Sequence, residues 1–220
     1  MDLLTPYKCP GEKVSVGRNE DGGYVIMKPV KPFTKCYSYG ISDDISFEQD
    51  LLKKYGTMSL LFDHTIESID GPFTWYKEGV SHEKTDSCDT IENHIKRFGE
   101  TSDMLLKMDV ETCEWNVLRY INPDILKKFS QIVIELHFYG PDVHFDALVN
   151  LTKEFKVIHL HGNPYIENRY LDVTERFPRI LEVTLLRNDL FFQVDMDGLY
   201  PDPRVDTRLN IEKPLNWWKP

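Results

Sequence analysis

"KCYSYGISDDISFEQDLLKKYG", residues 35–56, is the stretch from which the rest of this chain is read. It begins with a short apolar run that stops at Gly40. An acidic loop follows. Then 46–56 places Phe47, Leu51, Leu52 and Tyr55 at helical spacing before Gly56, a residue suited to closing a helix. Strand, loop and helix in that order form the opening unit of an α/β sheet, and such loops commonly hold a nucleotide-type ligand. Loops that hold a pyrophosphate are rich in glycine, and this one has Gly40 alone. It is either a ligand loop of unusual composition or an ordinary strand-to-helix turn.

The alternation continues downstream. Runs at 58–63, 73–80, 103–110, 131–138 and 156–162 read as strands, and 89–99, 114–121 and 145–155 as helices. Strands separated by helices of about 10–15 residues imply right-handed βαβ units and a mainly parallel sheet. The sixth run and the seventh, 179–191, are joined without a convincing helix, which favours an antiparallel last strand beside the sixth. The expected fold class is therefore α/β and Rossmann-like: a seven-stranded, mainly parallel sheet with an antiparallel last strand and helices on both faces. That ending resembles the class I S-adenosylmethionine (SAM) methyltransferase fold more than the dinucleotide-binding one.

With 220 residues the chain reads as a single domain. Residues 1–34 form an N-terminal extension or lid, 35–195 the core and 196–220 a tail, and the whole fits equally as one unit of a longer multidomain protein. A net charge of −10 argues against a nucleic-acid partner, which needs a basic footprint. No apolar run reaches the length of a membrane span, and the N-terminus lacks the pattern of a signal peptide. Cys9, Cys36, Cys88 and Cys113 form no CxxC pair, so reduced thiols and a cytoplasmic setting are expected.

Ligands of doubly wound sheets lie over the carboxyl ends of the strands. Read there, the sequence offers Gly40, Ser42, Asp44, Ser46 and Glu48 after the first strand and Asp63 after the second. A carboxylate at Asp63 can take two hydrogen bonds from a ribose diol, or it caps a loop. Asp43, Asp44 and Glu48 would repel a pyrophosphate and suit a ligand with a positive sulfonium and an amino group. "KMDVETCEW", 107–115, places Asp109, Glu111 and Glu114 at the fourth strand end, as bases, cation ligands or caps of the following helix. In "IELHF", 134–138, Glu135 and His137 share strand parity and one face of the sheet. A buried carboxylate beside an imidazole needs a partner, a metal or water. "IHLHGN", 158–163, adds His159, His161 and Asn163. "VGRNEDGGYVI", 16–26, is either a β-hairpin or a wall over the site carrying Arg18 and Asp21. The tail "LNWWKP", 215–220, reads as a packing anchor or a sugar-stacking platform.

Seven stretches together resemble one family. "GRNEDGGYVI", "YSYGISDDISFEQDL", "LFDHT", "LLKMDVETCEWNVL", "IVIELH", "IHLHGN" and "PRILEVTLLRND" occur in this order from about residue 17 to 190. They are similar to the FkbM-type, methyltransferase-like branch of class I SAM-dependent methyltransferases. Members mostly methylate hydroxyl groups, often on sugars, and related domains occur in multidomain glycan-building proteins, including those of large algal viruses. The resemblance implies that the Gly40 loop holds SAM, that Asp63 takes its ribose, and that Asp109 stands beside the reacting methyl. The usual glycine after the strand-four glutamate is Thr112 here.

The expectation is SAM-dependent O-methylation of a sugar or glycan hydroxyl by in-line displacement. Gly40, Ser42, Asp44, Ser46, Glu48, Asp63 and Asp109 contact the cofactor. Asp109 and His137 supply the base. Arg18, Asp21, Glu111, His161 and Asn163 face the acceptor. A divalent cation, Mg2+ or Mn2+, held by Asp109, Glu135 and His137 would acidify the hydroxyl. The alternatives are a NAD-dependent sugar oxidoreductase or epimerase, whose loop should be glycine-rich and free of acids, and a non-catalytic SAM-binding module.

Overall fold

Strand parity sorts this chain into an apolar and a mixed sheet face, and the layers follow from that. The computed structural model describes residues 2–19, 22–99, 101–138, 145–163 and 178–191, together with Asp202 and Val205. An N-terminal hairpin pairs β1 (Lys13–Val16) with β2 (Tyr24–Met27), with Val14 opposite Ile26. The core follows in the order β3 (Cys36–Tyr39), α1 (Ser46–Tyr55), β4 (Ser59–Phe62), β5 (Thr74–Tyr76), β6 (Gly79–Val80), β7 (Cys88–Asp89), α2 (Ile91–Phe98), β8 (Met104–Met108), α3 (Glu114–Tyr120), α4 (Pro123–Leu126), β9 (Phe129–His137), α5 (Phe145–Glu154), β10 (Phe155–Gly162) and β11 (Ile180–Arg187).

Seven strands form the central sheet in the order β10-β11-β9-β8-β3-β4-β5. The pairs β5–β4, β4–β3, β3–β8 and β8–β9 are parallel. β11 enters between β9 and β10 and runs antiparallel to both, as the missing helix before it predicted. Two strand readings change. The run 73–80 breaks at a turn in which Glu78 N–H donates to Tyr76 O (2.7 Å), leaving a three-residue β5 and sending β6 to pair with β7 in a separate sheet. The last strand stops at Arg187, where a 3-10 turn, Asn188–Leu190, takes over.

One face of the sheet carries Tyr37, Tyr39, Leu106, Met108, Ile132, Ile134 and Leu136, buried against α2, α3 and α5 through Ile95, Leu118 and Leu151. On the other face Cys36, Leu105 and Val133 pack against Phe47 and Leu51 of α1 and against Val16, Tyr24 and Ile26 of the hairpin. Helices thus lie on both faces. Each of these large apolar side chains contributes about 2 kcal/mol on burial. Helix ends follow local chemistry. Thr90 Oγ1 accepts the Asn93 N–H (3.1 Å) to cap α2, and Gly56, left-handed at φ 69°, closes α1 by donating to Leu52 O (2.9 Å). Among the described residues no helix is long and apolar enough to cross a membrane, and none of the four cysteines is in a disulfide.

Candidate active site

The parallel strands β3, β4, β8 and β9 end side by side, and the loop after β3 is fixed against all of its neighbours. Gly40 N–H donates to Phe62 O (3.0 Å), and Lys107 Nζ donates to Gly40 O (2.6 Å). Gly40 has φ +70°, and a Cβ there would fall 1.6 Å from Asp109 O. One glycine therefore does two things: it makes the left-handed turn, and it lets the loop touch the end of β8. Asp63 holds the next residues. Its Oδ2 accepts the Ile41 and Ser42 N–H groups (3.1 and 2.9 Å), and its Oδ1 accepts Thr65 N–H and Oγ1–H (2.8 and 2.6 Å). Burial pushes the Asp63 carboxyl up, but these hydrogen bonds outweigh it and hold the pKa below the usual 3.8.

Ser42 is exposed, in a left-handed conformation at φ 47°. Asp44 takes the start of α1: its Oδ1 accepts the Ser46 N–H (2.9 Å) and its Oδ2 the Ser46 hydroxyl (3.1 Å). The hairpin closes over this point. Arg18 Nε pairs with Asp44 Oδ2 (3.1 Å), Arg18 N–H donates to Ser46 Oγ (3.1 Å), and Gly22 packs so closely that a Cβ would meet Asp44 Oδ2 at 2.0 Å. The segment 16–26 is thus both a hairpin and a wall. Asp21 lies outside the described residues, as do the tail residues 215–220.

Glu48 points inward from the first turn of α1 and is 1% exposed. Ser38 Oγ donates to its Oε1, while its Oε2 is buried without a hydrogen-bond partner. Burial raises its pKa, against the opposing pull of Lys107 and Ser38. Lys107 is itself buried and lies 5.5 Å from the centre of the Tyr24 ring. Around these groups is a cleft lined by Arg18, Tyr24, Gly40, Asp44, Glu48, Lys107 and Asp109, among others.

Asp109 joins that cleft to a second cluster. Tyr24 OH donates to its Oδ2 (3.1 Å), and its Oδ1 lies 3.9 Å from His137 Nε2. The same Nε2 is 3.2 Å from Glu135 Oε2 and 3.5 Å from Glu111 Oε2, and Glu111 is largely exposed. Asn163 Nδ2 donates to Glu135 Oε1 (2.8 Å). His161 stands two strands away in the same row, opposite Glu182, which is opposite Glu135. Asp109, Glu135 and His137 each offer a ligand atom, and these lie within 4.8 Å of one another. Burial pushes the Glu135 carboxyl up to about 8, with the charges of Asp109 and Glu182 adding to the rise. Burial lowers the His137 pKa, yet its ring hydrogen bonds to the Glu114 and Glu135 carboxylates overcome this and lift it to about 10. Both shifts favour retention of protons in this cluster. The turn beyond Asp109 is strained: Glu111 and Thr112 have φ +51° and +83°, so Thr112 occupies the conformation that a glycine would adopt freely.

Two residues of the site were not singled out from sequence, and Glu114, read there as a base, cation ligand or helix cap, turns instead toward His137. Tyr24 gave no local signal. Lys107 did give one, being a charge inside an apolar strand with the parity of Asp109.

The comparisons with known proteins agree with this architecture. Residues 16–163 match the model of the Methyltransferase FkbM domain. A human relative, "Probable methyltransferase-like protein 24", is 28% identical over 123 residues, covering 49% of this chain and 33% of that protein. The chain therefore spans about a third of that relative's length. The matched segment begins at the last residue of β1 and contains β2, the Gly40 loop, Asp63, Asp109, Glu135 and His137, and the chain belongs to the FkbM methyltransferase domain family.

Proposed function

We propose that this chain is a SAM-dependent O-methyltransferase whose acceptor is a sugar hydroxyl, assisted by a divalent cation. The observation that carries the reading is the position of Asp109, which lines the cleft of the Gly40 loop and also belongs to the cluster with Glu135 and His137. A donor bound in that cleft has ionisable groups at its reacting end.

The cleft residues fit a cationic amino-acid end. The buried Glu48 Oε2 lacks a hydrogen-bond partner, and Asp43 and Asp44 add negative charge that a pyrophosphate would meet as repulsion. This favours SAM over NAD. Asp63 fits a ribose less simply, because Ile41, Ser42 and Thr65 fill its acceptor positions. Its first task is to shape the loop, and a ribose diol would displace the Thr65 donors. The set of two carboxylates and one imidazole suits Mg2+ or Mn2+.

SAM supplies a methyl group on a positive sulfur for in-line displacement. A divalent cation at the cluster lowers the pKa of an oxygen that approaches it. The protein contributes placement, charge and a proton acceptor. Gly40, Asp63 and Lys107 fix the floor, and the hairpin covers the cleft through Arg18 and Tyr24. Tyr24 donates to Asp109 Oδ2, which leaves Oδ1 as the oxygen turned toward His137. In the cation-free protein the raised pKa of His137 favours the imidazolium, whose Nε2 carries a proton. Asp109, Glu135 and His137 would hold such a cation, which would have to displace the protons of His137 and Glu135.

Calorimetric titration with SAM and NAD tests the cofactor: micromolar binding of SAM without NAD binding is expected, and the reverse would overturn the reading. Asp109→Ala and His137→Ala should each retain SAM binding and lose turnover on sugar acceptors. Near-full rates in both would remove this site. Full turnover after exhaustive chelation would remove the cation.

A further inference from the structure

None of the steps above uses Glu114, yet it is fully buried at the first position of α3. A carboxylate in a first helical turn is favourable, but that does not explain where this one points. Its Oε1 accepts the backbone N–H of His137 (2.9 Å) and lies 3.1 Å from His137 Nδ1. An oxygen that is already accepting a backbone N–H accepts from the ring as well, so Nδ1 carries the hydrogen. The next residue completes the clamp, with Trp115 Nε1 donating to His137 O (2.7 Å). α3 thus holds the main chain of His137 through both its N–H and its C=O, and holds the ring through Nδ1. The other nitrogen, Nε2, is left facing Glu135 Oε2 at 3.2 Å and Asp109 Oδ1 at 3.9 Å.

We infer that Glu114 is a positioning residue: it fixes the Nδ1–H form and the orientation of the His137 imidazole, so that Nε2 is the ring atom offered to a divalent cation between Asp109 and Glu135. This rests on the cation reading given above and assigns that site its outer support. A carboxylate behind a ligating histidine typically changes metal affinity by about 10–100-fold.

The test compares the whole chain with Glu114→Gln and Glu114→Met. The first keeps an acceptor oxygen and removes the charge; the second removes both hydrogen bonds at similar volume. Two readouts are used: the dissociation constant of Mn2+ alone, followed by electron paramagnetic resonance, and the low-field Nδ1–H proton resonance in 15N-histidine-labelled protein, assigned with His137→Gln. The expected result is a Mn2+ dissociation constant about 10–100-fold higher in Glu114→Met, with partial rescue in Glu114→Gln. The Nδ1–H resonance should vanish in Glu114→Met and move upfield in Glu114→Gln. A folded Glu114→Met with wild-type affinity and resonance would overturn the inference. If Glu114→Met fails to fold, an unchanged resonance in Glu114→Gln overturns it. If the wild-type chain takes up no Mn2+, the cation reading falls, and the part assigned to Glu114 falls with it only if the Nδ1–H resonance persists in Glu114→Met.

Discussion

Gly40→Ala asks whether the single glycine of the loop is a packing requirement or only a convenient turn. The substitution carries two costs. A non-glycine residue at φ +70° loses about 1–2 kcal/mol to the left-handed backbone alone. The second cost is steric. The new Cβ would lie 1.6 Å from Asp109 O, 2.7 Å from its carbonyl carbon and 3.3 Å from Val110 Cγ1. Relief requires the loop or the end of β8 to move by about 2 Å in a close-packed interior. That movement breaks the Lys107 Nζ bond to Gly40 O and the Gly40 N–H bond to Phe62 O. Hydrogen bonds from a charged group are worth about 1.5–3 kcal/mol and neutral ones about 1. The whole is about 4–6 kcal/mol, or about 10–20 °C in melting temperature for a chain of this size. Gly56→Ala is the control. Its φ is +69°, nearly the same, but its nearest neighbour is Pro32 Cγ at 3.9 Å. It should therefore cost only about 1–2 kcal/mol. Thermal and urea unfolding of the two variants side by side separate conformation from contact. Equal losses in the pair would refute the argument that Gly40 is selected by the approach of Asp109.

Thr112→Gly should stabilise the chain by about 1 kcal/mol, because it releases a β-branched residue from φ +83°; a lower urea midpoint would contradict the strain. Asp63→Asn keeps the shape but turns one acceptor oxygen into a donor facing N–H groups, and should cost about 2–3 kcal/mol. Because the native Asp63 pKa is depressed, its stabilisation is present above pH 3.8 and lost as pH falls through its native value, so the acid limb of the stability profile should flatten in that variant; an unchanged limb refutes the assignment. In chelator, the raised pKa of His137 gives stability that is full below pH 6.5 and lost as pH rises through about 10, while Glu135 adds a loss of the same sign between 4.5 and about 8. Melting temperature should therefore fall from pH 5 to pH 10 without metal, and added Mn2+ should flatten the fall; a rise would contradict both shifts.

The sheet was legible because its strands are short apolar runs closed by turn residues, and its last strand because the sequence before it carries no convincing helical pattern. β5 was overread because only Thr74, Trp75 and Tyr76 pair, and all three remain partly or fully exposed, so no burial pattern marks where the strand ends. Parity carried the site further than motif did. The reading that set Glu135 and His137 on one face applies equally to β8, where it sets Lys107 with Asp109, and to β3, where Ser38 stands opposite Lys107. Extended across the sheet, the same face carries Glu182 and His161 in register with Glu135. A sheet that is apolar on one side and ionisable on the other is costly unless the charged side has partners or ligands. Those partners arrive from far along the chain: Tyr24 reaches Asp109 across 85 residues, and Glu114 reaches His137 across 23. Neither pairing has a local signature, because a helix-starting glutamate and a hairpin tyrosine are both ordinary where they stand. Periodicity gives the face, and strand order gives the neighbours. Only the packing of α3 and the hairpin decides which ring nitrogen and which carboxylate oxygen remain for chemistry.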